Sequence, residues 1–233
     1  MLTLVLVESA LETIPRQLWS NSAVRKFAEQ RAKPPRSVIL DRSYHHSAMK
    51  KLEHNEKRGR PDIVHFALLE ALGSPLNKQG LLQVYVHTLN DHIISVRAET
   101  RLPRNCNRFV SLAEQLFEFG RIPPEQTEAP LLKVERQTLT QLVHDQVKPS
   151  YVLAFSRVGK PKTLEEAISK LTRQERPTVF IGGFPHGHYS KGTATLADEI
   201  VSIDSDMLET WTVVSRVIYE FERALSLPKK RLW

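Results

Sequence analysis

The feature that most limits what this chain can fold into is a glycine-rich loop set close to its C-terminal end. The stretch "TVFIGGFPHGHYSKG", Thr178 to Gly192, begins with strand formers and runs into Gly182-Gly183. Glycines at the end of a buried strand let the backbone approach a ligand closely. Gly182 and Gly187 stand in the frame of a phosphate loop. His188 and Tyr189, however, occupy the places of the lysine and the hydroxyl that hold phosphate and Mg²⁺. A dinucleotide fingerprint fits no better, because the order is G-G-x-x-x-G. Asp204 does lie about twenty residues on, as a ribose-binding acid does, but fewer than thirty residues follow it. Those read as a single helix and leave no place for the rest of a doubly wound sheet. A site at this loop has to be assembled from the C-terminal elements.

The remaining pattern predicts strands alternating with helices, hence an α/β fold with a mainly parallel sheet in a single domain over 1–233. "LTLVLV", residues 2–7, reads as the first strand. A helix is expected from Ile14 to Gln30 with Pro15 in its first turn, and a second strand from Ser37 to Leu40. "SAMKKLEHNEKRGRPD" is polar and basic and reads as exposed. "DIVHFALLEALGS" predicts a helix stopped by Gly73. Two β-rich runs around Asn90-Asp91 predict a β-hairpin inserted into the pattern, within about 80–103. "RFVSLAEQLFEFG" is a helix with a glycine stop, and "RIPPEQTEAP" a loop. From about residue 150 the rhythm is strand "SYVLAFS", helix "TLEEAISKLTRQE" with a capping box from Thr163 to Glu166, strand "PTVFIGG", short strand "DEIVSID" and a long last helix. That helix repeats Leu208, Trp211, Val214, Ile218, Phe221 and Leu225 along one face, with Trp211 read as core. Val213, Val217 and Tyr219 lie off that face and call for a second partner.

Charge and chemistry narrow the function. Net charge is +7 and the pI about 9.6, which favours a polyanionic partner. "EKRGRPD", Glu56 to Asp62, and "RLPRNCNRF", with Arg101, Arg104 and Arg108, are the basic stretches. Each reads either as a solvated edge or as a stripe that clamps nucleic-acid phosphates. Asp62, directly after Arg60-Pro61, is either a helix cap or an acid set beside an arginine to meet a base edge. The one cysteine, Cys106, allows neither an intramolecular disulfide nor a thiolate zinc site, and His45-His46 and His186/His188 do not converge as metal ligands. No metal is expected. No G-x-S-x-G nucleophile motif occurs. No apolar run approaches ~18 residues, and "MLTLVLVESALE" lacks a basic leader, so a cytoplasmic protein without a membrane span is expected.

The C-terminal layout, "VFIGGFPHG", then "VSIDSDML", then the long helix, resembles the SPOUT, or α/β-knot, RNA methyltransferases. "RPDIVHFALLEALGSPLNKQGLLQVYVHT" and "RLPRNCNRF" narrow this to the small-subunit ribosome-assembly methyltransferases that modify N1 of a pseudouridine, in their archaeal form. The resemblance spans nearly the whole chain. It implies a C-terminal trefoil knot over about 150–233 that binds S-adenosylmethionine. The cofactor walls it implies are Leu153, Phe155 and Ser156, then Gly182, Gly183 and Gly187, then Ser202, Ile203, Asp204, Ser205, Asp206, Met207 and Leu208. Arg60, Asp62, Arg101, Arg104 and Arg108 are implied to bind RNA, with Arg60 and Asp62 orienting the target base and Asp62 available as general base. A homodimer, a substrate in small-subunit ribosomal RNA, and contacts with other assembly factors or ribosomal proteins follow in the same way. The alternative is a non-catalytic RNA-binding assembly factor that keeps the knot as a scaffold. Some eukaryotic members carry an aspartate where this chain has Gly73, so that acid cannot be essential chemistry here.

Overall fold

β1 (Leu2–Ser9) is buried along its whole length because it is central to an eight-stranded sheet and is covered on both faces. The computed structural model describes residues 1–125 and 129–232. β1 pairs in parallel with β2 (Leu82–Thr88) on one side and β7 (Pro177–Gly182) on the other. Beyond β7 come β6 (Tyr151–Pro161) and β8 (Glu199–Ser202), also parallel. Beyond β2 the sheet turns antiparallel through β3 (His92–Val96), β5 (Leu132–Arg136) and β4 (Arg121–Ile122). The strand alternation sorts β1 cleanly. Leu2, Leu4 and Leu6 join one core layer, and Val5 and Val7 join the opposite one with Phe180, Leu142 and Val143.

The hairpin is present, with Asp91 in the left-handed conformation (φ 54°) at its turn. Its first strand also pairs with β1, so the hairpin extends the main sheet. The capping box at Thr163 forms with both of its hydrogen bonds, starting the helix Leu164–Leu171. Pro61 opens and Gly73 closes the helix Pro61–Gly73, and Gly120 (φ 77°) stops the helix Cys106–Phe119. The loop read over 121–130 contains β4, and its residues 126–128 lie outside the described set.

Four expectations change. The helix expected over Ile14–Gln30 is split into a short turn, Arg16–Leu18, and the helix Ser22–Gln30, because Asn21 is extended and caps Ala23 N–H at 3.0 Å. Ser37–Leu40 is not a sheet strand. Its bonds run to the segment after β1, Leu40 N to Glu12 O at 2.9 Å and Ile14 N to Val38 O at 2.8 Å, and only Thr13 and Ile39 form a bridge. Nor is the basic segment after Ser47 simply exposed. It begins in the last turn of a helix, Arg42–Met49, and buries Met49, Leu52 and Lys57. The last long helix, Thr210–Ala224, packs on the sheet and against the helices Pro61–Gly73 and Leu164–Leu171. Val217 is therefore 0% exposed within the single chain, and the partner it was expected to need is intramolecular. Among the described residues no helix is long and apolar enough to cross a membrane.

Candidate active site

A cavity of about 380 Å³ opens where β6, β7 and β8 end. Ligands of open α/β sheets bind at the carboxyl ends of parallel strands, so the topology itself puts a site here. β6 contributes Phe155, Ser156 and Arg157, and β7 contributes Ile181 and Gly182. The loop 184–189 and the turn after β8 close two further sides, and Arg60 reaches the lining from the N-terminal half. Thr210 Oγ1, at the start of the last long helix, donates to Gly182 O at 2.7 Å and fixes the end of β7.

Of the cofactor residues read from sequence, Phe155, Ser156, Gly182, Gly187, Ser202, Ile203, Asp204, Asp206, Met207 and Leu208 line this cavity. Leu153, Gly183 and Ser205 do not. Leu153 is 1% exposed and belongs to the core below. Gly183 faces β1: it bonds Val7 O through its N–H (2.9 Å), and a Cβ there would fall 2.2 Å from Ser9 Oγ. Its glycine is required by strand packing. Ser205 points out of the turn that Ser202 Oγ fastens to Asp204 O at 2.9 Å. Gly187 has φ 101°, a conformation that favours glycine.

Beneath the loop lies a buried ion pair that the sequence did not announce. Lys57 Nζ donates to Glu8 Oε2 at 2.5 Å and also to His188 O, and it sits 4.5 Å from the centre of the Phe184 ring. Ser190 N–H donates to the second Glu8 oxygen at 2.8 Å. Burial pushes the Glu8 carboxyl up, but hydrogen bonds from Lys57, Thr193 and Ser190 outweigh this and hold it below its usual range. One pair thus pins the loop to β1. Lys57 stands in a stretch that looks solvated, and its partner lies 49 residues away, so no local signal marks it. Tyr189 is a second missed residue. Its hydroxyl donates to Phe155 O at 2.5 Å and bridges the loop to β6.

Arg60 and Asp62 form a two-pronged pair at the mouth. Arg60 Nε meets Asp62 Oδ1 at 2.8 Å and Nη2 meets Oδ2 at 2.7 Å. The sequence makes this local. Gly59 (φ 70°) turns tightly against Met49 and the Arg42 N–H, where a Cβ would stand 2.8 Å from Met49 Cε, and Pro61 then starts the helix that carries Asp62 in its first turn. The Asp62 hydrogen bond raises the Arg60 pKa further. Arg101, Arg104 and Arg108 are exposed, and their guanidinium groups have no acidic partner among the described residues. Their arm is tied to the Asp62 helix, since His65 Nε2–H donates to Pro103 O.

A family model described as EMG1/NEP1 methyltransferase matches residues 4–222. This chain belongs to the EMG1/NEP1 methyltransferase family. It is 45% identical over 226 residues to the ribosomal RNA small subunit methyltransferase Nep1 of Staphylothermus marinus, covering 97% of each chain. It is 44% identical over 230 residues to the Nep1 of Thermococcus kodakarensis, covering 97% of this chain and 100% of that one. Among solved structures it matches Archaeoglobus fulgidus Nep1 bound to S-adenosylhomocysteine, with a TM-score of 0.84 and 41% identity over 96% of this chain and 98% of the other. The family thus covers both the cavity and the Arg60–Asp62 pair.

Proposed function

We propose that this chain methylates N1 of a pseudouridine in small-subunit ribosomal RNA, with S-adenosylmethionine as the methyl donor and a role in building the small ribosomal subunit. The coarser activity, methyl transfer to small-subunit ribosomal RNA, is that of the family and of the named relatives. The observation that carries the finer reading is the cavity at the strand ends with the Arg60–Asp62 pair at its mouth. The cavity falls in the size range of small-molecule sites, about 300–1,000 Å³, and its wall joins exposed backbone at Gly182 and Gly187 to the polar turn after β8. That donor set suits an adenosyl and methionyl ligand. Phe155, Ser156, Gly182, Gly187 and, from the turn, Ser202, Ile203, Asp204, Asp206, Met207 and Leu208 would hold it. When bound, the cofactor supplies an electrophilic methyl on a sulfonium.

The chain's own residues do the rest. Pseudouridine carries a free imide-type N1–H, and that nitrogen becomes a good nucleophile only as its proton leaves. The base is flipped into the site. Asp62 accepts its N–H, and the Arg60 fork takes one lone pair on each Asp62 oxygen, keeping the carboxylate aimed. Most of the acceleration comes from holding two reactants in line. The arginine arm carries the RNA backbone. We also read 150–233 as the threaded knot and the working unit as a two-fold dimer in the cytoplasm, where ribosomal proteins and assembly factors meet the same RNA.

Mass spectrometry of a ribosomal stem-loop incubated with the protein and S-adenosylmethionine tests the reading. A stem-loop with pseudouridine should gain one methyl, and the same RNA with uridine none. No transfer to either, with RNA affinity intact, would mean a scaffold. Asp62→Asn then separates the roles of that carboxylate. Loss of transfer with RNA affinity retained supports proton acceptance, and loss of both removes it.

A further inference from the structure

β6 does not pair continuously with β8. Its partner is Val201 at Phe155 and again Val201 at Lys160, so the residues between them loop out of the ladder. The loop is built in by Gly159, where a Cβ would stand 2.5 Å from the Val201 backbone. Bulges beside sites re-aim side chains, and this one puts Ser156 and Arg157 on the cavity wall. The charges on that wall are two guanidinium groups, Arg60 and Arg157, and the carboxylates of Asp204, Asp206 and Glu209. Arg60 is engaged by Asp62, whereas Arg157 has no partner among the described residues.

We propose that Arg157 binds the α-carboxylate at the methionyl end of the cofactor. The proposal rests on reading the cavity as the S-adenosylmethionine site. That ligand brings two cationic groups, the sulfonium and the ammonium, and one anionic group. The wall brings carboxylates for the first two and, in Arg157, a single uncommitted cation for the third. A guanidinium meets a carboxylate with two parallel N–H donors, which fixes orientation as well as charge. Arg157 therefore selects ligands that carry the amino-acid end and fixes the orientation of that end.

Calorimetric titration of the full chain with S-adenosylhomocysteine and with 5′-methylthioadenosine, which lacks the carboxylate, tests this. Arg157→Ala should weaken S-adenosylhomocysteine at least about tenfold, the scale of a charge-assisted hydrogen bond, and leave methylthioadenosine within about twofold. Arg157→Lys should restore part of the difference. Equal weakening of both ligands, or of neither, overturns the assignment. So does a loss of RNA affinity with S-adenosylhomocysteine affinity unchanged, which would make Arg157 a phosphate contact. If the unaltered protein binds neither ligand, the cofactor reading itself falls, a result distinct from failure of the arginine.

Discussion

The ring of His65 donates its Nε2–H to the carbonyl oxygen of Pro103 across 2.6 Å. This bond joins the helix that carries Asp62 to the arm that carries Arg101 and Arg104. His65 is fully buried and stacks on Phe109 with 4.5 Å between ring centres. Burial lowers its pKa, so at neutral pH the ring is uncharged and its one proton sits on Nε2. His65→Phe keeps the stacking and removes the bond. It should cost about 1 kcal/mol of stability and weaken RNA binding several-fold, while S-adenosylhomocysteine titrates unchanged. RNA affinity equal to that of the unaltered protein would show that the arm needs no tether.

Acid should loosen the edge of the sheet through Glu199. Its carboxylate meets Lys162 Nζ at 2.5 Å, the Tyr151 hydroxyl at 2.7 Å and Lys170 Nζ at 3.1 Å. These partners bring it from 4.5 down to about 2. A depressed carboxylate stabilises the fold above its unfolded pKa, and that contribution fades as pH falls through the folded value. Stability from chemical denaturation should therefore drop between about pH 4.5 and 2. Glu199→Gln should be less stable at pH 7 and show a shallower decline over that window. A decline of the same slope in both proteins would assign the acid sensitivity to other groups.

The glycines of the loop should separate into two kinds. Gly187→Val requires a branched residue at φ 101°, and Gly182→Val sets a Cβ 2.9 Å from the Phe184 ring. Both should lose cofactor binding and keep most of their RNA affinity. Gly183→Ala is different, since its Cβ meets the Ser9 side chain at 2.2 Å and Ser9 Cα at 3.0 Å. It should lower stability by about 1–3 kcal/mol or more, visible as a reduced melting temperature. If Gly183→Ala melts normally while Gly187→Val unfolds, the two roles are reversed.

Those glycines mark how far the sequence could be read. The strand-glycine pattern located the cavity because both are backbone properties that a local stretch encodes. The same pattern could not tell Gly182 from Gly183, since the difference lies in which neighbour each faces, and Ser9 is remote in sequence. The Arg60–Asp62 pair was legible because its members are two residues apart. Lys57 with Glu8 was not, since a lysine in a polar run looks solvated until a buried carboxylate is folded over it. β5 escaped for a different reason: its apolar alternation is only two residues long, Leu132 and Val134 in "LKVER", too short to stand out as a strand.

The arginine arm should reveal itself through salt. Arg101, Arg104 and Arg108 are exposed. Each phosphate contact removed by Arg→Ala should reduce the slope of log affinity against log salt by roughly 0.7 for single-stranded RNA. The three single variants should each shift it, and the triple variant should shift it about additively. An unchanged slope in the triple variant would make the arm a solvated edge.

Assembly can be tested with two substitutions that differ in burial. Val217 is 0% exposed and lies between the sheet and the packed helices, so Val217→Glu should unfold the chain rather than separate subunits. The apolar surface left over is elsewhere. Phe66 is 39% exposed, one turn beyond Asp62 on the same helix, and packs edge-on against Trp211 at 5.3 Å between ring centres. Trp211 is only half-buried, although its spacing alone marked it as core. Tyr219, at 58% exposed, stands on the same long helix as Trp211. A second copy seated on the Phe66–Trp211 pair would bring its own surface beside Asp62, and a dimer built this way would share in the proposed RNA site. Light scattering at micromolar concentration should give about 53 kDa, twice the 26.7 kDa of one chain. Phe66→Glu should leave a folded species near 26.7 kDa with lowered methyl transfer. A fully active monomer, from either the unaltered chain or this variant, would overturn both the dimer and its share in the site.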